Sequence, residues 1–311
     1  MKYILTGGAG FIGSHLSDGL IELGHKVICI DDLSSGLKTN LSSSQNLIFI
    51  NKKIQDLNSS DLEEEYDGIF HLAAQASVPV SIEQYYKSSS NNLLGTLKVW
   101  DLAKKLDIPV VYASSSAVYG DQPLGNDELD KYDILSPYAQ DKLTMESYAN
   151  MCWRVYNTPS IGLRFFNVFG PRQNPSNPYS GVISIFIDRL MQNKSVTVNG
   201  GYQTRDFIYV KDVIDVVIQS MNLLLRKKIN DIFNVGTGNS ITIDQLLDIL
   251  TDIMKVKPKI SLKELPVGDP EKSSGTYDKL KTHLNIIPND FVKLENGLKK
   301  TIEFIRKDQS T

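Results

Sequence analysis

The sequence predicts an α/β protein: a doubly wound parallel sheet followed by a smaller, mixed C-terminal domain. Short apolar runs alternate with helix-period stretches through the first half of the chain. A glycine-rich turn joins the first run to the first helix. The second half mixes strands and helices without that regular alternation. Strand–helix alternation calls for crossovers that cover both faces of a parallel sheet.

Tyr3–Thr6, Lys26–Ile30, Leu47–Ile50, Gly68–Leu72, Val110–Ser114 and Ser160–Phe165 are short apolar runs, as buried strands require. Phe11, Ile12, Leu16, Leu20 and Leu23 recur at helical spacing, and Gly24 supplies the stop. A second helix is expected over Ile82–Leu106, carrying Leu93, Leu94, Leu97, Val99 and Leu102. A third spans Ser136–Tyr156, with Ser136 as cap and Pro137 in the first helical position. Further on, helices are expected at Val182–Gln192, Asp212–Leu225, Ile243–Met254 and Asn289–Ile305. Strands fall near Val196–Val198, Asp206–Tyr209 and Ile232–Val235. Thr242 and Gln245 have the spacing of a capping box. The Pro/Asn/Ser-rich loop Gln173–Gly181 marks the boundary. The expected division is 1–166, with return segments around 206–235, and 167–311.

A chain of 311 residues, 41% hydrophobic, buries a substantial core. Its net charge of −3 gives no electrostatic footprint for nucleic acid or an anionic membrane. Cys29 and Cys152 sit in apolar segments and the four histidines are scattered, so core thiols and no metal are expected. Met1–Thr6 runs straight into the glycine turn, with no room for a signal peptide, and no run approaches spanning length. A cytoplasmic protein is expected.

Thr6-Gly7-Gly8-Ala9-Gly10-Phe11-Ile12-Gly13 spaces its glycines G-x-x-G-x-x-G between strand and helix. Such a turn lets backbone approach a pyrophosphate, and the helix terminus offers it free N–H groups. About 20 residues on, as a dinucleotide site requires, the second strand ends in Asp31. Its carboxylate would accept from the adenine ribose hydroxyls and repel a 2′-phosphate. No arginine follows in Asp32-Leu33-Ser34-Ser35-Gly36, so NAD is expected over NADP. Asp56-Leu57, after the third strand, is placed at the adenine edge.

Ser136-Pro137-Tyr138-Ala139-Gln140-Asp141-Lys142 sets Tyr138 and Lys142 one turn apart on one helix face. A free phenol loses its proton near pH 10, roughly three units too high for a base at neutral pH. A neighbouring ammonium, the helix terminus and an oxidised nicotinamide would each favour phenolate. The run Ser114-Ser115-Ser116-Ala117-Val118-Tyr119-Gly120 ends the fifth strand in hydroxyls with no carboxylate among them.

At this point the chain resembles the extended short-chain dehydrogenase/reductase family, and within it the nucleotide-sugar epimerases and dehydratases. The resemblance rests on "TGGAGFIG", "HLAAQASVP", "NNLLGTLKV", "SSSAVYG", "SPYAQDK", "RFFNVFGPRQ", "RDFIYVKDV" and "FNVGTGN", nearly end to end. It implies a Rossmann NAD-binding domain over 1–166 and a sugar-nucleotide domain over 167–311. It places Gly7, Gly10, Phe11, Ile12, Gly13, Asp31, Asp56, Leu57, Leu72, Ala73, Ala74, Asn92, Ser114, Tyr138 and Lys142 along the cofactor. It places Ser77, Val78, Ser115, Ser116, Tyr138, Asn167, Arg205, Asp269 and Ser273 along the substrate.

The family's 4,6-dehydratases carry Thr-Asp-Glu before Val-Tyr-Gly, where this chain has Ser115, Ser116 and Ala117. Dehydration would lack its acid and its base, and Ala117 also replaces the glutamate of the xylose-forming decarboxylases. The resemblance therefore implies a 4-epimerase with Ser115, Tyr138 and Lys142 as catalytic residues, acting on UDP-glucose and admitting UDP-N-acetylglucosamine. Ser273, at the family's size gate, is small enough for an N-acetyl group. Arg205 is the expected diphosphate clamp, with an ion pair to Asp206 as its structural alternative. One departure stands out: Pro266 occupies the usual arginine position three residues before Asp269. The alternatives are a uronate 4-epimerase or 4-keto-sugar reductase, and a non-catalytic dinucleotide sensor. A homodimer built from two long helices per subunit is also implied.

Overall fold

The computed structural model describes residues 1–58, 61–62, 65–175 and 181–308. The first half runs β1 (Lys2–Thr6), α1 (Phe11–Glu22), β2 (Lys26–Asp31), β3 (Leu47–Asn51), β4 (Gly68–His71), α2 (Val78–Glu83), α3 (Tyr85–Leu106), β5 (Val110–Ser115) and α4 (Pro137–Tyr156). Next come β6 (Ser160–Phe165), β7 (Asn167–Phe169), α5 (Val182–Met191), β8 (Val196–Asn199), β9 (Thr204–Tyr209), α6 (Val210–Arg226) and β10 (Asn230–Val235). The chain closes with β11 (Ser240–Thr242), α7 (Ile243–Met254), β12 (Ile260–Lys263), α8 (Asp278–Leu284) and α9 (Leu294–Asp308).

Seven strands form the central sheet in the order β10-β6-β5-β4-β1-β2-β3, every pair parallel. Side chains alternate across it. Tyr3 and Leu5 pack with Phe70, Leu16 and Val217 on one face, while Ile4, Ile28 and Ile69 pack with Val99, Trp100 and Met145 on the other. Both faces are therefore covered, as the Val/Ile/Leu-rich runs require. Strand order reverses between β1 and β4, and a crevice opens beyond their carboxyl ends.

A three-stranded sheet, β11-β9-β7, and a parallel pair, β12-β8, lie outside the central one. Of the segment around 206–235, Asn230–Val235 joins the central sheet whereas Thr204–Tyr209 belongs to the small one. The long helix expected over Ile82–Leu106 is two helices, because Gln84 (φ −132°, ψ 47°) leaves helical geometry between α2 and α3. The last helix begins at Leu294 rather than Asn289, after a 3-10 turn at Pro288–Asp290. Five residues of the boundary loop, 176–180, and Glu63 and Glu64 lie outside the described residues. Among the described residues, no helix is long and apolar enough to cross a membrane.

Candidate active site

The crevice holds an elongated cavity of about 670 Å³ walled by Gly7, Gly10, Phe11, Ile12, Gly13, Asp31, Leu72, Ala73 and Ala74 and reaching Ser77, Val80 and Ala113. Gly7 has φ +72°, and a Cβ there would lie 2.6 Å from the Ala73 nitrogen. A Cβ on Gly13 would lie 2.0 Å from the Gly7 carbonyl oxygen, so α1 closes on the turn only without side chains. Gly10 caps α1 with no side chain over its amides, leaving them open to an anion.

Asp31 accepts from the Ala9 amide at 3.0 Å and from the Leu33 amide at 2.8 Å. Burial holds its pKa above the ordinary value, against the lowering effect of those two amides. Each oxygen keeps a lone pair for a further donor. At the far wall, Gln173 lines the cavity, and its buried Oε1 has no partner among the described residues. A glycine cradle, a partly free carboxylate and this orphan acceptor together fit a dinucleotide.

Several residues expected along the cofactor are placed differently from the rest. Asp56 and Leu57 are not in the cavity wall, which is formed there by Lys52, Lys53, Ile54 and Gln55. A 3-10 turn at Ile54–Asp56 leaves Asp56 exposed and turns Leu57 into the core. Asn92 is fully engaged: it accepts from the Gln75 amide at 2.7 Å and donates to the Gln75 carbonyl at 3.2 Å and to Asp141 at 2.9 Å. It ties α3 to α4 and to the loop after β4, with both amide hydrogens donated within the protein. Ser114 donates to Glu146 Oε1 at 2.5 Å, so its hydroxyl serves the protein interior.

At the inner end of the cavity the Ala113 carbonyl accepts from Lys142 Nζ at 2.6 Å. Ser136 caps α4 by accepting from the Ala139 amide, and Pro137 takes the first position. Tyr138 thus falls in the first turn, its amide donating to Ser81 Oγ at 3.2 Å. The Tyr138 phenol lies beside Ser115, which favours its ionised form. Lys142 Nζ lies 5.6 Å from the centre of the Tyr138 ring. Burial pushes the Lys142 ammonium down to about 8, opposed by Asp141 and Glu146. Burial likewise holds the phenol above its ordinary value, with Ser115 lowering it and Asp141 raising it. Desolvation is the largest of these effects, and positive charge bound beside the phenol would favour phenolate.

Ser116 is half-buried in the 3-10 turn Ser116–Tyr119, outside the cavity wall. Ser77 caps α2 and lines the cavity, whereas Val78 faces the neighbouring loop: a Cβ on Gly268 would lie 3.7 Å from it. That loop turns at Val267-Gly268, with Gly268 at φ +84° and the Asp269 amide donating to the Pro266 carbonyl at 3.2 Å. It carries Asp269 into an ion pair with Arg205. Arg205 also donates to the Thr204 carbonyl at 2.8 Å. Asp206, its expected structural partner, is occupied otherwise, accepting from Thr237, Gly238 and Tyr277. Asn167 donates to Ser273 Oγ at 3.3 Å. Asn167, Arg205, Asp269 and Ser273 are thus joined in two linked pairs.

Two features escaped the sequence reading. Arg172 and Gln173 line the cavity, Arg172 in left-handed backbone (φ +65°) and paired with Asp18 at 2.7 Å. Glu146, the carboxylate missing from the serine run, comes from α4 and is gripped by Arg164 at 2.8 and 2.6 Å. An arginine inside the apolar strand Ser160–Phe165 was a usable signal, since a buried guanidinium demands a carboxylate.

Comparison with known proteins agrees with this arrangement. The model of the NAD dependent epimerase/dehydratase family matches residues 3–236. A putative UDP-glucose 4-epimerase of Methanocaldococcus jannaschii is 33% identical, over 99% of each chain. The solved UDP-N-acetylglucosamine 4-epimerase of Methanobrevibacter ruminantium superposes with a TM-score of 0.92 at 35% identity, covering 99% of this chain and 98% of that one. UDP-glucuronic acid decarboxylase 1 of Xenopus tropicalis is 31% identical, over 99% of this chain and 72% of its own. On these matches the chain belongs to the NAD dependent epimerase/dehydratase family, with NAD as its cofactor.

Proposed function

We propose that the protein is an NAD-dependent nucleotide-sugar 4-epimerase, interconverting UDP-glucose and UDP-galactose and admitting their N-acetylated counterparts. One observation carries this reading over decarboxylation and dehydration. Glu146, the carboxylate that meets Ser114, is neutralised by Arg164, while Ser116 and Ala117 present none where the dehydratases carry their acids. What remains is a hydroxyl, a phenol and an ammonium, which suffice for oxidation and reduction at one carbon.

NAD, when bound, supplies a hydride acceptor that is regenerated within each turnover. Ser115 bridges the sugar 4-hydroxyl and Tyr138, which takes the proton. Lys142, anchored on the Ala113 carbonyl, holds positive charge beside the phenol and favours its ionised form. Arg205 tethers the diphosphate, so the sugar can present its other face before Tyr138 returns the proton. Ser273, buried beside Asn167, leaves space at the substrate for an N-acetyl group. The assembly we infer is a homodimer, because Tyr86 and Leu94 of α3 and Met151 and Val155 of α4 are exposed apolar residues on adjacent helices.

The deciding experiment offers UDP-glucose, UDP-N-acetylglucosamine and UDP-glucuronate to the purified protein and follows products by NMR. UDP-galactose is the expected product. A pentose nucleotide with release of carbon dioxide, or a 4-keto-6-deoxy sugar, would overturn the assignment.

A further inference from the structure

Helix α4 presents Tyr138, Lys142 and Glu146 at four-residue spacing, hence on one face. Opposite them the end of β5 presents Ala113, Ser114 and Ser115. Two hydrogen bonds cross between them, Lys142 to the Ala113 carbonyl at 2.6 Å and Ser114 Oγ to Glu146 at 2.5 Å, and Ser115 lies beside the Tyr138 phenol. Helix and strand thus meet at three rungs, two of which belong to the reacting cluster.

The rung between Ser114 and Glu146 is held from behind. Arg164 in β6 donates to both Glu146 oxygens and, at 2.7 Å, to the Tyr119 hydroxyl, which donates to Asn234 at 2.7 Å. Ser114, Glu146 and Arg164 are all buried. Charge balance is complete without the serine, since Arg164 already neutralises Glu146. Ser114 adds one charge-assisted hydrogen bond, and it joins this clamped pair to the residue immediately before Ser115. We propose that Ser114 is a positioning residue, fixing the end of β5 against α4 through Glu146 so that Ser115 meets Tyr138 in reacting geometry.

This rests on the reading of Ser115 and Tyr138 as the proton-handling pair. Its test is Ser114→Ala, which leaves Glu146 bound to Arg164 and orphans no charge. A sub-ångström misplacement predicts kcat down about tenfold with KM within about twofold. Ser114→Thr, which keeps the hydroxyl, restores kcat to within about threefold of the parent. In protein labelled at tyrosine 13Cζ, the Tyr138 signal, identified by its loss in Tyr138→Phe, moves in Ser114→Ala toward its position in Ser115→Ala. An unmoved signal overturns the proposal, as does kcat within twofold of an active parent, whatever the melting temperature does. If the parent epimerises no nucleotide sugar, the 4-epimerase reading fails while the Tyr138 signal still decides this one.

Discussion

Arg205 and Asp269 form an ion pair in which the guanidinium is nearly buried and the carboxylate remains 40% exposed. The pair joins β9 to the C-terminal segment and holds the guanidinium in place before any ligand arrives. On the proposed reading, with Pro266 three residues before Asp269, Arg205 is the diphosphate grip. Arg205→Ala should raise KM for the nucleotide sugar about 30-fold or more, with kcat much less affected. Steady-state kinetics decide it: an unchanged KM would make Arg205 a purely structural partner of Asp269.

Tyr138→Phe removes the proton acceptor while keeping the ring. Turnover should fall by about 10²- to 10⁴-fold. The melting temperature should stay within about 3 °C of the parent's. Residual activity above a tenth of the parent's would exclude Tyr138 as the base.

Gly13→Ala places a methyl where the Gly7 carbonyl oxygen is only 2.0 Å away. The first turn of α1 must then retreat from the cradle. NAD affinity should drop about 10- to 100-fold, read by calorimetry and by the cofactor content of purified protein. Parent-like affinity would mean that the phosphates do not sit on this turn.

Ser273→Tyr fills the space beside Asn167. Activity on UDP-N-acetylglucosamine should fall about tenfold further than activity on UDP-glucose. Equal losses for the two sugars would discredit Ser273 as a size gate.

His71 is fully buried between Thr6 (2.8 Å) and Thr96 (3.1 Å). Burial, helped by the Lys142 charge, pushes its pKa down to about 3. Between the ordinary histidine range and that value, the unfolded chain takes up a proton that the native state refuses. Stability from this group is therefore fully present above about pH 6.5 and is lost as pH falls, by about 1.4 kcal/mol per unit. Urea unfolding of the parent and His71→Asn should show their difference shrinking at that slope from pH 6 to pH 4. A pH-independent difference would refute it.

Much of the fold was legible because its signals are local. The strands of the central sheet are apolar runs, and the cap at Ser136 and the box at Thr242–Gln245 form as their spacing predicts. The break at Gln84 was not legible, since no glycine or proline stands there to announce it. Asp56 and Leu57 fall outside the cavity wall for a related reason: the acid follows a strand, but a 3-10 turn decides which side chains face the cavity.

By itself the sequence determined the chemistry available: a phosphate-approachable turn, an acid for a ribose, a phenol one helical turn from an ammonium, and a strand end without a carboxylate. Backbone periodicity and residue type suffice for that, because each property belongs to a few adjacent residues. Only the tertiary structure decided which groups are free to act. It spent Asn92 on Gln75 and Asp141, gave Ser114 to Glu146, and paired Arg205 with Asp269 rather than its neighbour. Those choices join residues far apart in the chain. They are made by the need to satisfy every buried polar group at once, which no local pattern records.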